Sequence, residues 1–136
     1  MKELTVDAVI ENIEVVTDFV TSELERLDCP IKAQTQIAIA IDELFGNIAR
    51  YAYTPDVGKA TVRFEVVEEP LSVIITFIDN GRPFNPLKQA EPDTKLSVTE
   101  RQEGGLGIFL VKKTMNMVTY EYKDNQNILR IQKNIG

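Results

Sequence analysis

The sequence predicts an α+β fold, a two-layer sandwich in which helices cover one face of a sheet. Three observations lead to it. Two long stretches carry apolar residues at helical spacing, an alternating hairpin follows them, and a shorter helix with a second hairpin closes the chain. At 136 residues the chain is long enough to bury one core and is expected to form a single domain.

The first helix is expected over about residues 8–27, with Thr5 and Asp7 ahead of it and Val9, Ile13, Val16, Val20, Leu24 and Leu27 on one face. Asp28-Cys-Pro30 ends it. Proline can open a helix but not continue one, so Pro30 starts the second, which runs to about Tyr53 and is closed by Thr54-Pro55-Asp-Val-Gly58. The period then changes to that of a strand. Val62, Phe64 and Val66 alternate with polar residues, Glu68-Glu-Pro-Leu71 turns the chain, and Val73-Ile-Ile-Thr-Phe-Ile78 is apolar on both faces, as a central strand requires. Residues 82–103 lose periodicity, and a connection of that length is usually functional. A third helix from Ile108 to about Asn116 is expected to turn Leu106, Phe109, Leu110 and Val111 inward. In the last hairpin Val118, Tyr120 and Tyr122 alternate, Asp124-Asn-Gln-Asn127 turns, and Leu129 and Ile131 alternate again.

Composition removes several chemistries. With no histidine and a single cysteine, Cys29, the chain can form no intrachain disulfide, no His/Cys zinc cluster, no Ser-His-Asp or Cys-His nucleophile system and no phosphohistidine. The net charge is −6 and the basic residues are scattered, which argues against direct nucleic-acid binding. An acidic surface suits protein partners with basic patches, and it also suits plain solubility. No apolar run approaches the length that spans a bilayer, so no membrane association and a cytoplasmic location are expected.

Within the second helix, Ile37, Ile41, Leu44 and Ile48 form a core stripe and Ala38, Phe45 and Ala49 a second apolar flank. Glu43 and Asn47 interrupt this run, one turn apart and about 100° from the stripe. A carboxylate and a carboxamide beside a core need a partner that offsets their desolvation, such as a hydrated metal ion or a catalytic water; the same pair on an ordinary helix simply faces solvent. Gly104-Gly-Leu-Gly107 at a helix start presents bare N–H groups in a positive dipole field, suited to phosphate, although a hinge or tight entry turn uses glycine too. The cluster is neither a P-loop nor the dinucleotide fingerprint. Asp79, ending a buried strand, can accept from an exocyclic amine of adenine, or can cap an Asx-type turn. Arg50 and Tyr51 lie one turn beyond Asn47, where Arg50 can reach a phosphate and Tyr51 lie against a base. The plain alternatives are a solvated charge and a partly buried aromatic. Asp42 reads as a surface carboxylate, and Phe84 as a core anchor beneath the loop.

The ordered set Glu43…Asn47, Asp79-x-Gly81 and Gly104-Gly-Leu-Gly107 resembles the ATP-binding module of the gyrase, histidine-kinase and MutL superfamily. The resemblance spans most of the chain. The phrases Asn47-Ile-Ala-Arg-Tyr-Ala-Tyr53 and Glu100-Arg-Gln-Glu-Gly-Gly-Leu-Gly-Ile-Phe-Leu-Val111 are similar to stand-alone anti-sigma-factor serine/threonine kinases.

That resemblance implies the Bergerat ATP-binding fold with a mixed, mostly antiparallel sheet, ATP and Mg²⁺ as cofactors, and a kinase that sequesters a sigma factor and phosphorylates a STAS-type anti-sigma-factor antagonist. By position, Asn47 would coordinate Mg²⁺, Glu43 would be the general base, Asp79 would read the adenine amine and Gly81 would allow close approach. Arg50 and Tyr51 match a basic and aromatic pair. Arg101 would reach the terminal phosphate, Gly104, Gly105, Leu106 and Gly107 would cradle phosphates, and residues 85–103 would form a lid. Relatives are often dimers, which makes a homodimer compatible with the resemblance. Two departures stand out: Tyr51 occupies a position where histidine is common, and Asn116 one where many relatives place an aspartate. Two other functions compete, a non-catalytic module in which ATP sets only partner binding, and a sensor histidine kinase's catalytic domain with a separate phosphoacceptor.

Overall fold

A computed structural model describes residues 1–88 and 105–136. Arg101, Gly104 and most of the expected lid therefore lie outside the described residues.

Among the described residues five strands form one sheet in the order β1-β2-β3-β5-β4: β1 Lys2–Asp7, β2 Lys59–Val67, β3 Ser72–Asp79, β4 Met117–Lys123 and β5 Gln126–Asn134. Every ladder among the described residues is antiparallel, so the mixed component expected of the sheet is not seen there. The helices α1 (Ile13–Arg26), α2 (Ile31–Asn47) and α3 (Gly105–Thr114) are placed with α2 packed against both others.

Side-chain parity decides what each layer buries. Ala60, Val62 and Phe64 of β2, Val73, Ile75 and Phe77 of β3, and Leu129 and Ile131 of β5 are buried in one core with Val16, Val20 and Leu24 of α1 and Ile37, Ile41, Leu44 and Phe45 of α2. Because strand side chains alternate, Asp79 shares the inward parity of Val73, Ile75 and Phe77, and Asn127 that of Leu129 and Ile131. Both polar residues continue the core face at its end.

Four local expectations change. Residues 2–7 form an edge strand paired with β2 and not a lead-in to a helix, and α1 starts at Ile13 after a short 3-10 turn over Ile10–Asn12. The last hairpin turns on Asp124 and Asn125 alone, with φ of 53° and 63°, because a two-residue loop between Lys123 and Gln126 needs left-handed backbone that Asp and Asn tolerate; Asn127 is thus in β5. On α3 the inward residues are Ile108 and Val111, followed by Met115, whereas Leu110 is exposed and Phe109 only half-buried; the Leu106 side chain is outside the description. Val66, expected on the alternating face, is exposed at the end of β2.

Beyond Asn47 the helix widens into a π-helical turn, Ile48–Ala52. Such turns shift the register of the carbonyls that follow. Here the Ala52 carbonyl accepts from the Arg82 N–H at 3.0 Å, tying the end of α2 to the residues that leave β3.

Candidate functional site

Asn47 is the last residue of α2, and Glu43 stands one turn before it, both half-buried. The Asn47 amide donates through Nδ2 to Glu43 Oε1 at 3.4 Å. This commits the nitrogen side of the amide and leaves its carbonyl oxygen, the better metal ligand, for another partner. Burial holds the Glu43 carboxyl above its ordinary range; the bond from Asn47 and the charge of Arg50 oppose that shift, and Asp42 adds to it. A carboxylate with raised proton affinity is suited to accept a proton from a hydroxyl.

The glycine cluster meets this pair in space. A Cβ built on Gly107 would lie 2.1 Å from both Cδ and Oε2 of Glu43, so the start of α3 approaches the carboxylate with bare backbone. Gly105 is the first residue of that helix, whose opening N–H groups have no intrahelical partner.

At the other end, Asp79 is buried and accepts from the Gly81 N–H at 2.9 Å and from Asn127 Nδ2 at 2.9 Å. The first bond is the Asx turn anticipated from Asp-Asn-Gly. Burial raises its carboxyl above the ordinary range, against the lowering effect of the Asn127 and Gly81 bonds. Gly81 is needed for space, since a Cβ there would sit 2.4 Å from the Ala52 carbonyl oxygen. The Tyr53 hydroxyl accepts from the Asn80 N–H at 2.8 Å and donates to the Lys59 carbonyl at 2.6 Å, so the turn is held from the helix side as well.

Between these ends lies a cavity of about 40 Å³ whose wall includes Asn47, Asp79, Arg82, Phe84, Tyr120 and Asn127. Arg82 and Phe84 are the exposed part of that wall. Phe84 is therefore not a core anchor: it is 37% exposed and its ring centroid lies 6.2 Å from that of Tyr51. Arg50 and Tyr51 are both exposed and outside the cavity wall, with the Arg50 guanidinium folded back over Gly46. Asp42 is exposed, as expected.

Three segments far apart in the sequence, residues 43–47, 79–81 and 105–107, thus converge on one site. The family model for the histidine kinase-like ATPase domain matches residues 6–133.

The chain belongs to this family.

ATP is the nucleotide that membership implies, and the resemblance drawn from the sequence holds. The chain is 26% identical to the serine-protein kinase RsbW of Bacillus mycoides over 131 residues, 93% of this chain and 81% of the relative. RsbW of Bacillus cereus is 27% identical over the same length and shares. The serine/threonine-protein kinase BtrW of Bordetella bronchiseptica is 26% identical over 95 residues, 70% of this chain and 66% of that protein. No helix among the described residues is long and apolar enough to cross a membrane.

Asn127, Tyr120 and Tyr53 were not among the candidate residues of this family member. Asn127 looks like turn chemistry in Asp124-Asn-Gln-Asn127, but it stands two and four residues before Leu129 and Ile131, and that parity places it on the core face. Tyr120 is likewise in phase with Val118, which packs on the core. Nothing local marks Tyr53, whose partners are Asn80 and Lys59.

Proposed function

We propose that this chain is a single ATP-binding domain acting as a serine/threonine protein kinase of the anti-sigma-factor type. It binds Mg-ATP between α2 and α3, transfers the γ-phosphoryl group to a serine or threonine of a STAS-type antagonist, and sequesters a sigma factor. The observation that carries this reading is that Asn47 and Asp79 stand on the wall of one cavity while Gly107 backs directly onto Glu43. The names of the RsbW and BtrW relatives support kinase chemistry.

The residues fit the cofactors. No group of three acidic residues is gathered for a metal among the described residues, which suits magnesium, an ion commonly held by one or two protein oxygens plus phosphates. Asn47 would offer its carbonyl oxygen to it. Mg-ATP, when bound, supplies the phosphoryl group and neutralises its charge. Asp79 accepts a hydrogen bond from the adenine amine, and Gly81 keeps the approach clear. The N–H groups of Gly105 and Gly107 at the start of α3 would donate to phosphate oxygens. Arg50 can swing from its place over Gly46 toward phosphate, and Tyr51 flanks the entrance with Phe84. Glu43 accepts the proton of the partner's hydroxyl as its oxygen attacks phosphorus in line, so that phosphoserine or phosphothreonine and ADP result.

Incubation of the purified protein with Mg-ATP and a cognate antagonist, followed by mass measurement of the antagonist, tests this. The expected result is the gain of one phosphoryl group, reduced at least about tenfold by Glu43→Gln with nucleotide binding retained. A nucleotide-dependent complex in which the partner never gains phosphate would identify a regulatory binding module instead.

A further inference from the structure

Asn127 pairs with Asp79 across the β3–β5 ladder, and both side chains are buried. Its amide is saturated by the protein itself. Nδ2 donates to Asp79 Oδ1 and to the Arg82 carbonyl, each at 2.9 Å, with the Gly81 carbonyl farther off at 3.5 Å. Oδ1 accepts from the Phe84 N–H at 3.1 Å and from the Tyr120 hydroxyl. A carboxamide has two N–H donors and two lone pairs, so Asn127 retains nothing with which to bind a ligand. Its orientation is also determined, because a carboxylate and a carbonyl can only accept, and the Phe84 N–H can only donate.

The effect falls on Asp79. Its Oδ1 takes both the Gly81 N–H and the Asn127 amide, while no described residue donates to Oδ2. Turning the carboxylate out of this plane would break two bonds in a buried setting, which holds Oδ1 committed and leaves Oδ2 without a donor among the described residues. The same amide grips the backbone at Arg82 and Phe84, the exposed part of the cavity wall.

We infer that Asn127 is a positioning residue for base recognition: by fixing the plane of the Asp79 carboxylate, and so the direction of its second oxygen, it makes the site discriminate a purine that carries a 6-amino group from one that lacks it. The inference rests on Asp79 being the carboxylate that meets the base. It gives Asn127 a place in the wall but no hydrogen bond to the nucleotide.

The test compares the affinity of one preparation for ATP and for the triphosphate of purine riboside, which lacks the amine. Wild type should prefer ATP by about tenfold or more, the scale of a hydrogen bond to a charged acceptor. Asn127→Ala and Asn127→Asp should bring the two affinities to within about threefold, mainly by weakening ATP. Because both nucleotides are measured on the same sample, partial unfolding leaves the ratio unchanged. Asn127→Asp sets two carboxylates side by side, so lowering the pH lets one proton bridge them and should restore part of the preference, a response that a merely loosened fold does not give. Tyr120→Phe, which removes one bond from the Asn127 oxygen, should shift the ratio in the same direction by less. Retention of the full wild-type preference in all three variants would overturn the inference. A wild-type preference near unity would instead overturn the reading of Asp79, and no binding of either nucleotide would overturn the ATP site itself.

Discussion

Glu43 and Gly107 touch across the α2–α3 interface so closely that a single methyl group on the glycine would lie 2.1 Å from the glutamate's carboxyl carbon. The carboxyl is the far end of a flexible side chain and can move, so an alanine there displaces Glu43 without forcing the backbone apart. Gly107→Ala should therefore separate folding from function. The helix gains about 1 kcal/mol of propensity, which offsets the local crowding, and the melting temperature should stay near that of wild type. Phosphoryl transfer should fall at least about tenfold as the base leaves its position. Thermal denaturation together with a transfer assay checks this, and transfer at the wild-type rate would count against Glu43 as the base.

Glu43→Gln should raise stability at neutral pH. Burial holds the Glu43 carboxyl above its ordinary range, so the folded state binds its proton more readily than the unfolded chain does. Its stabilising contribution is complete below the unfolded value and is lost as pH rises through the folded one. Glutamine keeps an oxygen for Asn47 and removes the ionisation. The variant should melt above wild type at pH 7, and the difference should vanish toward pH 4, near the unperturbed carboxylate range. Equal melting temperatures across the whole range would show that Glu43 is not desolvated.

Gly81→Ala should destabilise the protein by about 1–3 kcal/mol, the range for overpacking against atoms that cannot yield. The added Cβ would meet the Ala52 carbonyl oxygen at 2.4 Å and the Ala52 Cβ at 2.6 Å. Relief requires the turn after Asp79 to move away from the π-helical turn, which strains the bond from the Arg82 N–H to Ala52. Urea unfolding measures the loss, and a midpoint equal to that of wild type would contradict this packing.

The residues that were legible in the sequence share one property: their signal is local. The period of Ile37, Ile41 and Leu44 announced α2, and Glu43 and Asn47 stood out because they broke it. Asp79-Asn-Gly81 is turn chemistry, and its Asx bond is present. What escaped depends on partners far along the chain. The strand over residues 2–7 has only Leu4 and Val6 as inward apolar residues and becomes a strand by pairing with residues 59–64. Asn127 gains its meaning from Asp79, forty-eight positions earlier. Phe84 looked like a core residue because aromatic side chains usually are, yet it follows Pro83 out of the sheet and lines the cavity from its exposed side. On α3 Val111 is inward as expected, but Ile108, Phe109, Leu110 and Val111 are apolar without interruption, and such a run carries no phase that would separate Ile108 from Leu110.

In the proposed function ATP with magnesium lodges between α2 and α3, held through Asn47 at one end and Asp79 at the other. Calorimetric titration of Mg-ATP into wild type and into Asn47→Ala tests it most directly. Saturable binding by wild type, weakened at least about tenfold in the variant and made insensitive there to removal of magnesium, is the predicted result. Binding of equal strength and equal magnesium dependence in both proteins, or no heat from either, would contradict it.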